Sequence, residues 1–111
     1  MYDNIFDNLA TNLHQAAIEK GFWPDKDDVD DIFIAKQCMM IVSEVTEVME
    51  AIRKDKGEEE ITKEFADILI RTLDLYAGVV EAGYTRLSLD QALREKVEFN
   101  KTRPEKHGVR F

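Results

Sequence analysis

The sequence predicts an all-α fold, and three observations carry that expectation. Apolar residues recur at helical spacing along most of the chain. No segment shows the sustained alternation of a strand. Only two prolines, Pro24 and Pro104, break the pattern, and the glycines other than Gly78 fall near the edges of periodic segments.

Four helices follow in order. The first is expected over residues 2–20, with Ile5, Leu9, Leu13 and Ala16/Ala17 as its apolar stripe and Gly21 as its stop. Phe22, Trp23 and Pro24, followed by an acid-rich run, read as a loop. The second helix covers residues 31–55, capped by Asp30 or Asp31 and closed before Gly57. The third covers residues 58–82 and stops at Gly83. Ser88, with Gln91 three residues on, has the spacing of a capping box and opens the fourth, residues 88–100. A basic tail, residues 101–111, sets Lys101, Arg103, Lys106 and Arg110 against Glu105 alone. The whole of 1–111 reads as one domain.

Composition narrows the function. The 111 residues carry 23 acids against 15 basic side chains, a net charge of −8, with 44% hydrophobic residues. That is too apolar for a disordered chain and too acidic for nonspecific grip on a nucleic-acid polymer. A single cysteine, Cys38, excludes an internal disulfide and a multi-thiolate zinc knuckle. No apolar run approaches the roughly 18 residues of a membrane span, and the opening residues are acidic, unlike a signal peptide. No membrane association and a cytoplasmic location are therefore expected.

The chemistry concentrates on the second and third helices. On a wheel of about 100° per residue, with Glu44 at 0°, Glu47 lies near 300°, Lys36 near 280° and Glu50 near 240°. Most of the remaining arc is apolar, wider than one partner helix covers. That excess favours pairing with a second copy of the chain. On the third helix Glu64, Asp67, Arg71, Asp74 and Glu81 share one side, and Arg71 and Asp74 are spaced to pair, within the chain or between subunits. Glu44-x-x-Glu47 and Glu64-x-x-Asp67 each place two carboxylates one turn apart. If the two stripes face each other, four carboxylates converge and call for a cation; hard oxygen donors in that number suit Mg²⁺, with Mn²⁺ as a substitute. Lys36, on the same stripe, is either a phosphate contact or a salt-bridge partner of the acids.

Glu44-x-x-Glu47, sixteen intervening residues and Glu64-x-x-Asp67 resemble the signature of the MazG-like nucleotide pyrophosphohydrolases, the all-α NTP pyrophosphatase superfamily. The stretches IVSEVTEVMEAIRK, EFADILIRTLDL and EKVEFNKTRPEKHGVRF agree with it. The resemblance covers the chain from Phe33 to its end. It implies a four-helix fold assembled as a homodimer or a dimer of dimers. It also implies Mg²⁺-dependent hydrolysis of an NTP or dNTP to the monophosphate and pyrophosphate, in the housecleaning of nucleotide pools. In one departure, Ser43 stands where many relatives carry a further acid, which bears on the number of metal ions. On this resemblance Glu44, Glu47, Glu64 and Asp67 hold metal, and Glu44 or Glu47 instead activates water.

Lys96, Asn100 and Arg103 recur at spacings that let them share a face, and the resemblance puts Asn100 and Arg103, with Lys101 beside them, on the phosphate side. Trp23 either stacks on a base, as aromatics do in this family, or plugs the core. His14 either touches base or ribose or is a satisfied, partly buried histidine. Two rivals use the same acids. A di-iron bundle needs Glu-x-x-His, but Thr11 and Pro104 stand three residues before the two histidines. A non-catalytic acidic helical dimerisation module would leave both carboxylate pairs on the surface.

Overall fold

A computed structural model describes residues 4–103, and those residues form four α-helices with no strand. They are α1 (Ile5–Glu19), α2 (Asp31–Arg53), α3 (Glu58–Glu81) and α4 (Leu89–Thr102), with a single 3₁₀ turn, Lys26–Asp28, inside the acid-rich loop. The part of the basic tail from Pro104 onward lies outside the described residues, as does the expected start of the first helix at Tyr2.

Each helix end has a local cause. Asp30 is the N-cap of α2, its carboxylate accepting from the Phe33 N–H at 2.8 Å. Gly57 offers α3 no side-chain cap, but three glutamates, Glu58–Glu60, crowd its first turn, where the helix dipole favours negative charge. Ser88 caps α4 by accepting from the Gln91 N–H at 3.1 Å. The return arm of the capping box is not made, because the Gln91 side chain donates to Glu95 instead.

The N-termini of α1 and α4 cap each other. Asp90 accepts from the backbone N–H groups of Phe6 and Asp7 at 3.0 and 2.7 Å. Asp7 in return accepts from Ser88 Oγ at 2.5 Å and from the Leu89 N–H at 2.8 Å. This clasp joins residues far apart in sequence and supplies α1 with the cap that Asn4 does not provide.

α3 is the central element. α1 and α2 both pack on it and run antiparallel to it: His14 meets Asp74 while Asp7 and Ala10 lie near Tyr76 and Val80, and Glu44 meets Arg71 while Asp31 meets Tyr84. α4 has its main contact with α1. The buried apolar residues are few and mostly small: Ala10, Val48, Ala51 and Leu73. The Cα radius of gyration, 16.6 Å, exceeds the value of about 13 Å for a compact chain of this size.

Trp23 fills the junction of α1, α2 and α3. Its ring meets His14 edge-on at 4.5 Å and Phe33 at 5.2 Å. It lies directly over Gly78, where a Cβ would fall 2.2 Å from Cη2, so glycine at this point of α3 makes room for the indole.

Candidate functional site

α2 turns toward α3 the face that holds Met40, Ile41, Glu44, Val48 and Ala51, all half-buried or buried. Glu44 is thus the acid of α2 that enters the helix–helix seam, and its side chain is 18% exposed. Across the seam stand Glu64 and Asp67, one turn apart on α3. Glu44, Glu64 and Asp67 each present a carboxylate oxygen, and these oxygens lie within 4.8 Å of one another. Glu47 is exposed and stands outside this trio, since it sits about 60° round the helix from Glu44.

The electrostatics of the trio are those of crowded like charges. The Glu64 carboxyl is held above its ordinary range by a hydrogen bond with Glu60, helped by desolvation and by the negative charges of Glu60, Asp67 and Glu47. Glu60, one turn before Glu64, was not singled out from the sequence, although its i,i+4 spacing is the signal that would have found it. Three hard oxygen donors at this separation, in an environment that penalises their shared charge, fit a divalent cation of the Mg²⁺ type.

Arg71 and Asp74 do not pair within the chain, the first of the two alternatives the spacing allows. Arg71 reaches across to α2 and donates from Nε to Glu44 at 2.8 Å. Asp74 turns the other way and accepts from Trp23 Nε1 at 3.0 Å, with His14 Nδ1 also 2.8 Å from its Oδ1. Although i,i+3 spacing makes the two residues neighbours, each has a partner on another element, and the structure shows those contacts instead.

Two of the trio, Glu44 and Asp67, border a cleft of about 440 Å³ between the C-terminal half of α1 and the α2–α3 seam. Glu44, Asp67 and Asp74 line it together with Lys20, Phe22 and Arg71. A second cavity, about 240 Å³, is lined by His14, Trp23, Lys26, Gly78 and Glu81 among others. His14 is buried there, with Nε2 3.2 Å from Glu81 Oε2 in addition to its Asp74 contact. The Asp74 carboxylate lines the first space and contacts His14 and Trp23, which line the second.

The remaining sequence candidates lie apart from the carboxylates. Lys36 is exposed on α2 and makes no ion pair among the described residues. Lys96, Asn100, Lys101 and Arg103 are exposed on and just after α4. Lys96 and Arg103 flank the Phe99 ring at 5.4 and 5.9 Å, and Lys101 pairs with Glu98 at 3.1 Å. No contact joins these four residues to the carboxylate trio among the described residues.

No helix among the described residues is long and apolar enough to cross a membrane. No curated protein and no solved structure matches the chain. A family profile does: that of the MazG nucleotide pyrophosphohydrolase domain matches residues 35–107, a stretch that contains the trio, Glu47, Arg71 and all of α4. Divalent-metal dependence is general in that family, in keeping with the hard-donor cluster at the α2–α3 seam. With two-thirds of its length matched, this chain belongs to the MazG nucleotide pyrophosphohydrolase family.

Proposed function

We propose that this chain is a Mg²⁺-dependent pyrophosphohydrolase that converts a nucleoside or deoxynucleoside triphosphate to the monophosphate and pyrophosphate. Its cellular role on this reading is nucleotide-pool housecleaning in the cytoplasm. The observation that carries it is the convergence of Glu44, Glu64 and Asp67, two of which, Glu44 and Asp67, line a cleft large enough to take part of a nucleotide.

Glu44, Glu64 and Asp67 would hold the cation, with Glu47 joining from the exposed edge. Mg²⁺, or Mn²⁺ in its place, neutralises phosphate charge and favours activation of a water when bound. The chain's own part is to place and deprotonate that water. Glu44 or Glu47 takes the proton, the water oxygen bonds to phosphorus, and the bridging P–O bond breaks to release pyrophosphate. Trp23, His14 and Lys36 contact base, ribose and phosphate on this reading, and Lys96, Asn100, Lys101 and Arg103 close on the phosphates. Trp23 and His14 already have partners within the chain, so their substrate contacts use the ring faces or edges that border the smaller cavity.

Self-association completes the proposal. Met39, Val42, Val45, Met49 and Ile52 lie within a sector of about 140° on α2 and are each 50–63% exposed. Phe65 and Leu69 of α3 are exposed as well. An apolar face of this kind fits a homodimer or dimer of dimers. It would equally serve a non-catalytic dimerisation module, so turnover has to separate the two readings.

The test is pyrophosphate release from the eight common NTPs and dNTPs, with Mg²⁺ and with EDTA. Metal-dependent release with a monophosphate product is expected for at least one substrate. Silence across the panel, with no change in melting temperature on adding Mg²⁺, would favour the binding module.

A further inference from the structure

We infer that Arg71, together with Lys20, forms the phosphate-gripping side of the cleft whose other side holds Glu44 and Asp67 of the carboxylate trio. The inference rests on the pyrophosphohydrolase reading only in taking the ligand to be a metal-complexed polyphosphate. Such a ligand presents two kinds of charge at once: a cation that needs carboxylates, and phosphate oxygens beyond it that need N–H donors. The cleft has both, since Glu44 and Asp67 share its lining with Arg71 and Lys20.

The way Arg71 is held points the same way. An arginine that only braces a carboxylate commonly does so in a two-point fork through its terminal nitrogens. Here the bond to Glu44 uses Nε, and the η nitrogens have no acceptor within hydrogen-bonding distance among the described residues. Glu44 therefore anchors the guanidinium through Nε, and its two-nitrogen end is left unspent among the described residues. A planar, pre-oriented fork is the geometry that recognises phosphate oxygens. Lys20 follows the last turn of α1 and makes no ion pair among the described residues. Its place at a helix C-terminus suits a cation whatever its function, but the same position puts the flexible ammonium on the cleft wall. Lys36 and the α4 cations do not line this cleft, so among the described residues Arg71 and Lys20 are the basic side chains of its lining.

Inorganic triphosphate in the presence of Ca²⁺, followed by calorimetry, tests this without turnover or a base. The wild-type chain should bind it. Arg71→Gln should weaken binding by about tenfold or more, the loss expected for a charged hydrogen bond. Arg71→Lys should recover part of the affinity, since charge returns without the fork. Lys20→Met, at an exposed residue without an ion-pair partner, keeps the fold and should weaken binding several-fold. With nucleotide substrate, Arg71→Gln should raise KM more than it lowers kcat.

The inference is overturned if Arg71→Gln and Lys20→Met both bind triphosphate about as well as the wild type. It is overturned equally if Arg71→Gln lowers only the melting temperature, which would make Arg71 a brace for Glu44. Failure of the wild type to bind triphosphate while it turns over nucleotides would also defeat it. A wild type that binds triphosphate but hydrolyses no nucleotide would sink the pyrophosphohydrolase reading and leave this one standing.

Discussion

Glu44 is an acid on the face α2 packs against α3, where an apolar residue would ordinarily sit. Burying a carboxylate there costs stability unless something compensates, and Arg71 supplies part of the compensation. Replacing Glu64 by Gln should leave the circular dichroism unchanged, because Glu64 is only half-buried and its carboxyl is already crowded by Glu60. It should nevertheless lower metal-dependent turnover by more than about 100-fold, since losing even a residue that supports a metal ligand costs about 10–100-fold. The spacing of the acids was legible in the sequence because helical periodicity alone puts Glu64 and Asp67 on one face. The partners of Arg71 and Asp74 were not legible, because i,i+3 spacing reports neighbours on one helix and says nothing of the helix across the seam. Trp23 was ambiguous for a similar reason: a loop residue has no period from which to read its burial. Its contact with Gly78 yields a separate prediction. Gly78→Ala should lower the melting temperature despite the better helix propensity of alanine, because the new Cβ meets the indole at 2.2 Å. Combined with Trp23→Ala, the same substitution should turn neutral or stabilising relative to Trp23→Ala alone, and that sign change in a double-mutant cycle is the check.

At the scale of elements, the reciprocal capping by Asp7 and Asp90 sets how α4 leaves the body of the protein. Asp90 is buried and satisfies two N–H groups at the start of α1. Asp90→Ala should cost about 1–2 kcal/mol in chemical denaturation, the size of a lost helix cap. Asp7 adds a pH dependence. Desolvation pushes its carboxyl upward, but the hydrogen bonds from Ser88 and the Leu89 N–H, aided by Asp90, outweigh it, and the group sits below its ordinary value. A carboxyl lowered in the folded state contributes stability that is complete above its unfolded pKa of about 3.9 and is lost as pH falls through the lowered value. Asp7→Asn should therefore be less stable than wild type near neutral pH and should converge with it in acid. Urea melts across that range would show the two curves meeting. Ser88 was readable as a cap because its partner Gln91 is three residues away. The clasp was not, since more than eighty residues separate its two acids and neither lies in a local motif.

At the scale of the molecule, the apolar face of α2 is the largest piece of unfinished business in the single chain. The sequence already held this information, because an apolar arc wider than one neighbour can cover has to meet a second partner or water. It could not say which part of the arc α3 would take. The structure shows α3 against the Glu44 face, which leaves the stripe from Met39 to Ile52 open. On the proposed self-association, Val45→Glu should shift sedimentation velocity from dimer or tetramer toward monomer without reducing helix content, because the residue is half exposed in the chain alone. The fold class was legible from period and punctuation. The direction taken by α4 was not, because it depends on the clasp.

Glu44, Glu64 and Asp67 are proposed to form a divalent-metal site that serves nucleotide hydrolysis. The most direct measurement is an Mn²⁺ titration followed by the EPR signal of the free ion, on the wild type and on Glu64→Gln. Saturable binding by the wild type, competed by Mg²⁺, and its loss in the variant are expected. Equal binding by both proteins, or none by the wild type, would contradict the proposed site.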